Sequence, residues 1–502
     1  MINFFKKEIV LVFLIFFLAL GIRIFITFTS DNFHGIAAGK TIIAQNILKN
    51  PNPVDNYDPV HGLFHLYLLA GALYIWNNPL LAPRMVSLVS GSLMIFFFYY
   101  FIRRLFDRET AFFSSLLLSF YPLHVIYSTL SVAVVPYNFF IFAALFCFFL
   151  FKEKKKLFYL IFSAFLVGCA SNCRYEGGLF IPLLTILLFN EKKREMLAFF
   201  SIAMILPTFL MWLSYYRFGH PLVFYYTNSS HVQALFNIAR EHGAKYDFWG
   251  KLMIWPSILK EYLPAFVVGV GFIGSLYSLS NKKYRNLAII FLVLLSVIVY
   301  ETVSERLHWD ERYSIYSGIL LILFCIVVIK RIISVVNPSW SKIVLTIFAV
   351  WFIYTSFPII MDRRRVAPSF VKEVASFLAI HVKDDAKVYV DYTISSNSME
   401  LDPYLDTIQA YSGLDNKHFL HVPRKIVDNS ELVVDESHFQ QILKEEKPSF
   451  LVFSPSKGYL SEVLNISPAD HLIENRYGLE FDFIKEIGIY RIYSLSFKEE
   501  AI

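Results

Sequence analysis

Carboxylates and imidazoles collect in one stretch near the N-terminus. Asp31 follows the apolar run 9–29, and Tyr57, Asp58, His61 and His65 come soon after. A carboxylate at the edge of a low-dielectric medium can have a raised pKa and take a proton from a hydroxyl. The same residue can simply end or cap a helix. His61 and His65 are four apart, which places them on one face of a helix. That spacing suits a metal, two donors aimed at a phosphate, or an ordinary polar face. No nearby Cys or Glu completes a ligand set, so the sequence gives a divalent metal no support and names no cofactor.

Two more clusters carry charge beside apolar runs. Arg174-Tyr175-Glu176-Gly177-Gly178 reads as a tight turn, either a salt-bridged bend or an arginine facing a lipid phosphate. His308-Trp309-Asp310-Glu311-Arg312-Tyr313 ends a loop, and the Arg312 fork matches phosphate geometry. Arg84, at the start of an apolar run, is a similar candidate.

What must position these groups is a membrane bundle. The 502 residues are 56% hydrophobic and 18% aromatic, a load that a soluble domain does not carry. The net charge of +6 comes from short basic clusters between apolar runs, which reads as membrane anchoring and not as nucleic-acid binding. The four cysteines sit in or at the ends of apolar runs, so no disulfide framework is expected. The run 9–29 is too long for a signal h-region and reads as a retained span, with Arg23 near its outer end able to snorkel to the headgroups.

Ten further spans follow at 83–101, 110–127, 132–151, 157–173, 177–190, 196–216, 263–280, 286–301, 313–329 and 342–360. The apolar segment 63–76 is short for a span and reads as interfacial or re-entrant. With that choice each inner loop carries a basic cluster, as at 103–108, 152–156, 192–194, 282–285 and 330–331. The external loops are 30–82, with interfacial helices, and 217–261, whose Tyr225, Tyr226, Trp249 and Trp255 suit an aromatic belt. From residue 362 the chain turns polar. Strand-like runs at 387–392, 449–453 and 488–493 and helix-like runs at 369–381 and 436–446 predict an external α/β domain over 362–502, beside a membrane domain over 1–361.

The order of these motifs resembles a family. One span, Asp31, an amphipathic segment, Tyr57-Asp58-Pro59-Val60-His61-Gly62, Arg84 with Ser87, Arg103-Arg104-Leu105-Phe106-Asp107-Arg108, Tyr121-Pro122, Arg174-Tyr175-Glu176-Gly177 and Arg312-Tyr313 follow in turn. This resembles the GT-C glycosyltransferases, in the group of dolichyl-phosphate-mannose protein mannosyltransferases and lipid A aminoarabinose transferases. The resemblance implies a GT-C-like polytopic α-helical membrane protein of about eleven transmembrane helices with a C-terminal external α/β domain. It implies sugar transfer, usually inverting, from a polyprenyl-phosphate donor to a lipid, glycan or protein acceptor. Asp31 would be the base, with Arg174, Arg312, Arg84 and His61 on the donor phosphate. Tyr57, Asp58, His65, Glu176 and Tyr313 would line the substrate. The sequence departs from the group in carrying Asn32 after Asp31 and no acid in 128–138. The implied setting is a prokaryotic inner or plasma membrane, with the site and the C-terminal domain on the periplasmic face. Two other classes fit eleven spans: a transporter or flippase of lipid-linked sugars, and an inactive partner in glycan assembly.

Overall fold

The computed structural model describes residues 2–57, 61–189, 191–241, 247–307, 309–383, 386–390, 403–414, 416–420, 424–427, 431–434, 441, 443, 445–454, 471–474 and 479–497. Asp58 and His308 lie outside them.

Among the described residues, seven helices are long and apolar enough to cross a membrane, within 8–28, 82–105, 134–154, 193–218, 285–303, 311–336 and 338–362. The other four expected spans are shorter. Helices 157–173, 175–187 and 265–279 are apolar but below span length. The expected span 110–127 is broken, with α-helix over Arg108–Ser119 and a new short helix over Pro122–Tyr127. Pro122 has no N–H to continue the ladder, so it opens a helix instead of extending one.

Contacts at the helix ends sort these segments into two faces. On one, Arg103 pairs with Glu8 at 2.9 Å, and Lys155 pairs with Glu191 at 2.6 Å. Lys330 there reaches Asp107 and Glu109, and Phe106 stacks on Tyr284 at 4.3 Å. On the other, Arg84 binds Ser30 and Thr129, Arg217 binds the carbonyls of Val54, Asp55 and Tyr57, and Arg363 pairs with Glu261. The eleven segments alternate between these faces, as the basic clusters require. Helix Leu63–Ile75 does not alternate. Gly62 at its start abuts Asn172 and Cys173, and Arg84 just after it is on the same face, so both ends of the segment lie on that face.

The core lies between the helices at 82–105, 108–119, 134–154, 157–173 and 315–336, packed with Phe98, Phe101, Phe142, Phe148, Leu320 and Phe324. The first helix leaves Phe13, Leu14 and Phe17 exposed, an apolar outer surface that suits lipid. Arg23 does not snorkel. It is fully buried, donates to the Ala19 carbonyl, and lies 2.7 Å from His124 Nδ1. The short helix after Pro122 brings that imidazole inward, giving the guanidinium a partner inside the bundle.

The C-terminal part folds on a six-stranded sheet. Its strands are β1 (Val388–Val390), β2 (Phe419–Leu420), β5 (Phe450–Phe453), β6 (His471–Glu474), β7 (Leu479–Ile487) and β8 (Tyr490–Phe497). The order is β2-β1-β5-β8-β7-β6, with β1 parallel to its neighbours and the rest antiparallel. A hairpin of β3 (Arg424–Val427) and β4 (Glu431–Val434) stands apart. Helices Ser369–His381 and Pro403–Ser412 bury Val371, Val374, Leu378, Leu405 and Ile408 against the sheet. Gly488 turns β7 into β8 at φ +62°, so the run expected at 488–493 starts as a turn. Most of the helix expected at 436–446, and residues 391 and 392 of the first expected strand, lie outside the described residues.

Candidate active site

Asp31 ends the first span and is the meeting point of the membrane bundle and the α/β domain. Its Oδ1 accepts from the Tyr411 hydroxyl at 2.6 Å. Its Oδ2 accepts from Ala367 N–H at 2.9 Å and pairs with Lys372 Nζ at 2.8 Å. Its own N–H donates to the Arg365 carbonyl at 2.6 Å. Burial pushes the Asp31 carboxyl up, but the bonds from Lys372, Tyr411 and Ala367 outweigh it and hold the group below the usual carboxylate range. Burial, followed by the same contact, pushes the Tyr411 phenol up.

The neighbours of Asp31 explain two features of the sequence. Asn32 is buried, with its amide donating to Ser131 Oγ at 2.7 Å and accepting from Ser131 N–H at 3.0 Å. A second carboxylate there could accept but not donate, so the amide is the residue this bridge requires. Arg84 spends its fork on protein: Nε on the Thr129 carbonyl, Nη1 on the Ser30 carbonyl and Nη2 on Ser30 Oγ. It braces the turn that carries Asp31.

The second group forms around one ring. Arg174 lies 4.6 Å and Arg312 5.5 Å from the centre of the Tyr313 ring. Each guanidinium also holds an acid, Arg174 with Glu176 at 2.7 Å and Arg312 with Asp310 at 3.1 Å. Burial pushes the Glu176 carboxyl up, yet Arg174 beside it pulls it below the usual range. Two arginines 138 positions apart thus converge on a single aromatic ring. The Tyr127 hydroxyl donates to Glu311 at 3.3 Å, and Arg365 pairs with Glu311 at 2.9 Å, joining this group to the Asp31 region.

The loop motif reaches the same place. Gly62 sits against the Cys173 and Asn172 carbonyls, where no Cβ fits, and Phe64 N–H donates to Asn172 Oδ1 at 3.0 Å. This fixes the loop to the Arg174 turn. The helix starts only at Leu63, so His61 precedes it and the expected pairing of His61 and His65 on one helical face does not form. His65 is fully buried with neither ring nitrogen hydrogen-bonded, and the charges of Lys40, His61 and Arg174 act on it. Tyr57 is also buried, packed with Leu63, Leu210 and Leu213. Trp255, expected in an interfacial belt, is buried and donates to Thr302 Oγ1 at 2.9 Å, whereas Trp249 is exposed. Among the described residues no three His, Cys, Asp or Glu side chains converge as a metal site.

Residues 60–215 match the family described as dolichyl-phosphate-mannose-protein mannosyltransferase. The whole architecture is similar to ArnT from Cupriavidus metallidurans bound to undecaprenyl phosphate, with TM-score 0.57 at 12% identity, over 98% of each chain. This is the GT-C fold. The apo oligosaccharyltransferase of Archaeoglobus fulgidus is similar too, with TM-score 0.56 at 11% identity, over 89% of this chain and 69% of that one. A further structure of that archaeal enzyme, AglB with an inhibitory peptide and a dolichol-phosphate, gives TM-score 0.54 at 12% identity. No curated protein matches the sequence closely enough to count.

The GT-C bundle brings Asp31, Arg84, Arg174, Glu176, Arg312 and Tyr313 to one face, as the motif order implies. Lys372, Tyr411 and the Ala367 N–H were not foreseen. They are ordinary residues in a polar domain more than 330 positions from Asp31, and nothing local marks them. Arg363-Arg364-Arg365 did carry a signal: a basic run at the end of a span, on the face opposite the other basic clusters, departs from the pattern those clusters set.

Proposed function

We propose that this GT-C protein transfers a sugar from a polyprenyl-phosphate donor to a hydroxyl acceptor, with inversion, on the non-cytoplasmic face. Asp31 takes the proton from the acceptor hydroxyl. The hydroxyl oxygen bonds to the anomeric carbon as the bond from that carbon to the phosphate oxygen breaks, and polyprenyl phosphate leaves with the electron pair. Arg174 and Arg312, held over Tyr313, meet the charge that grows on the leaving phosphate. Glu176 and Asp310 keep the two guanidinium groups oriented, and Arg84 keeps Asp31 in register through Ser30. His61 lies on the same side as Arg174 and offers a ring N–H to the donor phosphate.

The observation that carries this reading is the placement of one carboxylate and two convergent arginines on the same face of a GT-C bundle. The Tyr411 hydroxyl marks the acceptor position, since an O–H donating to Asp31 Oδ1 at 2.6 Å is what an acceptor hydroxyl must also do. Turnover therefore begins when the acceptor takes the place of Tyr411. The flippase reading is less well supported, because the charged groups cluster at one face and not along a path. The test is transfer from polyprenyl-phosphate-linked sugars to membrane acceptors by wild type and Asp31→Asn. A loss of about 10²- to 10⁴-fold in the variant, with polyprenyl-phosphate binding retained, is expected for removal of a general base. Equal transfer by both would remove Asp31 from the chemistry.

A further inference from the structure

A cavity of about 490 Å³ opens at the end of the last span, where the chain leaves the bundle for the α/β domain. Its lining includes Phe33, Tyr262, Glu311, Arg363, Arg364 and Arg365, and none of Arg174, Arg312 or Tyr313. It adjoins the candidate base, because Phe33 is two residues beyond Asp31 and the Arg365 carbonyl accepts the Asp31 N–H. The cavity thus adjoins the candidate base, and the arginines assigned to the donor do not line it.

Its chemistry is selective. Phe33 and Tyr262 give aromatic surface, and Glu311 and Asp362 give carboxylates, the groups that meet the faces and hydroxyls of a sugar ring. The arginines divide by partner. Arg363 is taken by Glu261 at 2.8 Å and by the Tyr262 hydroxyl at 2.9 Å, and Arg365 by Glu311. Arg364 forms no ion pair among the described residues; its Nη1 is 4.0 Å from the Met361 sulfur. A guanidinium without a carboxylate, in a cavity already supplied with acids, is matched by an anion brought by the ligand.

We propose that this cavity is the acceptor subsite and that it takes a polyhydroxylated acceptor bearing a carboxylate or phosphate, held by Arg364. The inference rests on the glycosyltransferase reading and assigns the acceptor class that the reading leaves open. Aromatic walls accept the sugar face, Glu311 accepts ring hydroxyls, and the Arg364 fork fixes the anion so that one free hydroxyl is presented to Asp31.

The test uses the full chain in phosphatidylcholine nanodiscs and three probes of one ring type: methyl glucuronide, glucose 6-phosphate and methyl glucoside. Wild type should bind at least one anionic probe about tenfold more tightly than the neutral one, the effect of a single charge-assisted contact. Arg364→Gln should erase that preference, and Arg364→Lys should keep part of it, which separates charge from folding. A tighter glucuronide identifies a carboxylate acceptor, and a tighter phosphosugar a phosphorylated one. Equal binding of all three probes by wild type overturns the inference, as does an unchanged preference in Arg364→Gln. Polyprenyl phosphate binding is measured in parallel. Its loss in Arg364→Gln would give the cavity to the donor and overturn the acceptor assignment. Its absence in wild type would sink the glycosyltransferase reading by itself.

Discussion

Replacing Tyr411 by Phe removes one hydroxyl and keeps the ring. In the wild type that hydroxyl donates to Asp31 Oδ1 at 2.6 Å, in a half-buried setting. A hydrogen bond to a charged group contributes about 1.5–3 kcal/mol, and 1.36 kcal/mol corresponds to one pH unit. The bond stabilises the ionised carboxylate, so its loss moves the Asp31 pKa upward by about one to two. Asp31 starts below the usual carboxylate range, and Lys372 and Ala367 still hold it in the variant. The acid limb of the kcat/KM profile should therefore shift to higher pH by that amount, with the basic limb unmoved. Where turnover is too slow to follow, infrared titration of the carboxyl band reads the same shift. The sign carries through to stability. A group whose folded pKa is depressed stabilises the folded state above its ordinary pKa, and that contribution is lost as pH falls through the folded value. Docking of the α/β domain should thus weaken only in strong acid, and at a higher pH in Tyr411→Phe. An acid limb that stays in place in a folded variant would refute the base assignment or the contact.

Other substitutions read the remaining parts of the site. Arg174→Gln should weaken polyprenyl phosphate binding about tenfold or more, measured by equilibrium binding in nanodiscs, because it removes a charged partner of the leaving group and leaves Glu176 unpaired. Gly62→Ala should lower unfolding stability by about 1–3 kcal/mol and weaken donor binding with it, since a Cβ there meets the Cys173 and Asn172 backbone. Thermal unfolding together with donor titration checks both effects.

The bundle was legible because a membrane writes its constraints locally. Length, apolarity and basic flanks mark each segment, so the span order could be read from the chain. The break at Pro122 was visible as a residue, but its consequence was not. The short helix beyond it carries His124 to Arg23, a contact across 101 positions that only packing creates. That Asp31, Arg174 and Arg312 share one face was legible from type and place, each being a charge at the end of an apolar run. What holds them was not. Arg84 is the same residue type at a similar place, yet its fork is spent on Ser30 and Thr129, because the carbonyls nearest it face inward. The contacts of Asp31 to Lys372 and Tyr411 depend on how a separate domain docks, which no pattern in either segment encodes.

The tether of that domain has a kinetic meaning. Ala367 and Lys372 touch Asp31 within a dozen residues of the last span, so the α/β domain is anchored almost at the point where it presses on the carboxylate. A short tether gives its groups a high effective concentration at Asp31. On the proposed reaction, Tyr411 is then an intramolecular competitor of the acceptor. Each ~1.4 kcal/mol by which the docked arrangement is favoured raises the apparent acceptor Kd tenfold, because binding is scaled by the fraction of molecules in the open form. On the same proposal the donor, held by Arg174 and Arg312, bears no such penalty. Occupancy would therefore be ordered by the architecture itself, with the lipid-linked sugar seated first and the acceptor admitted against a standing rival.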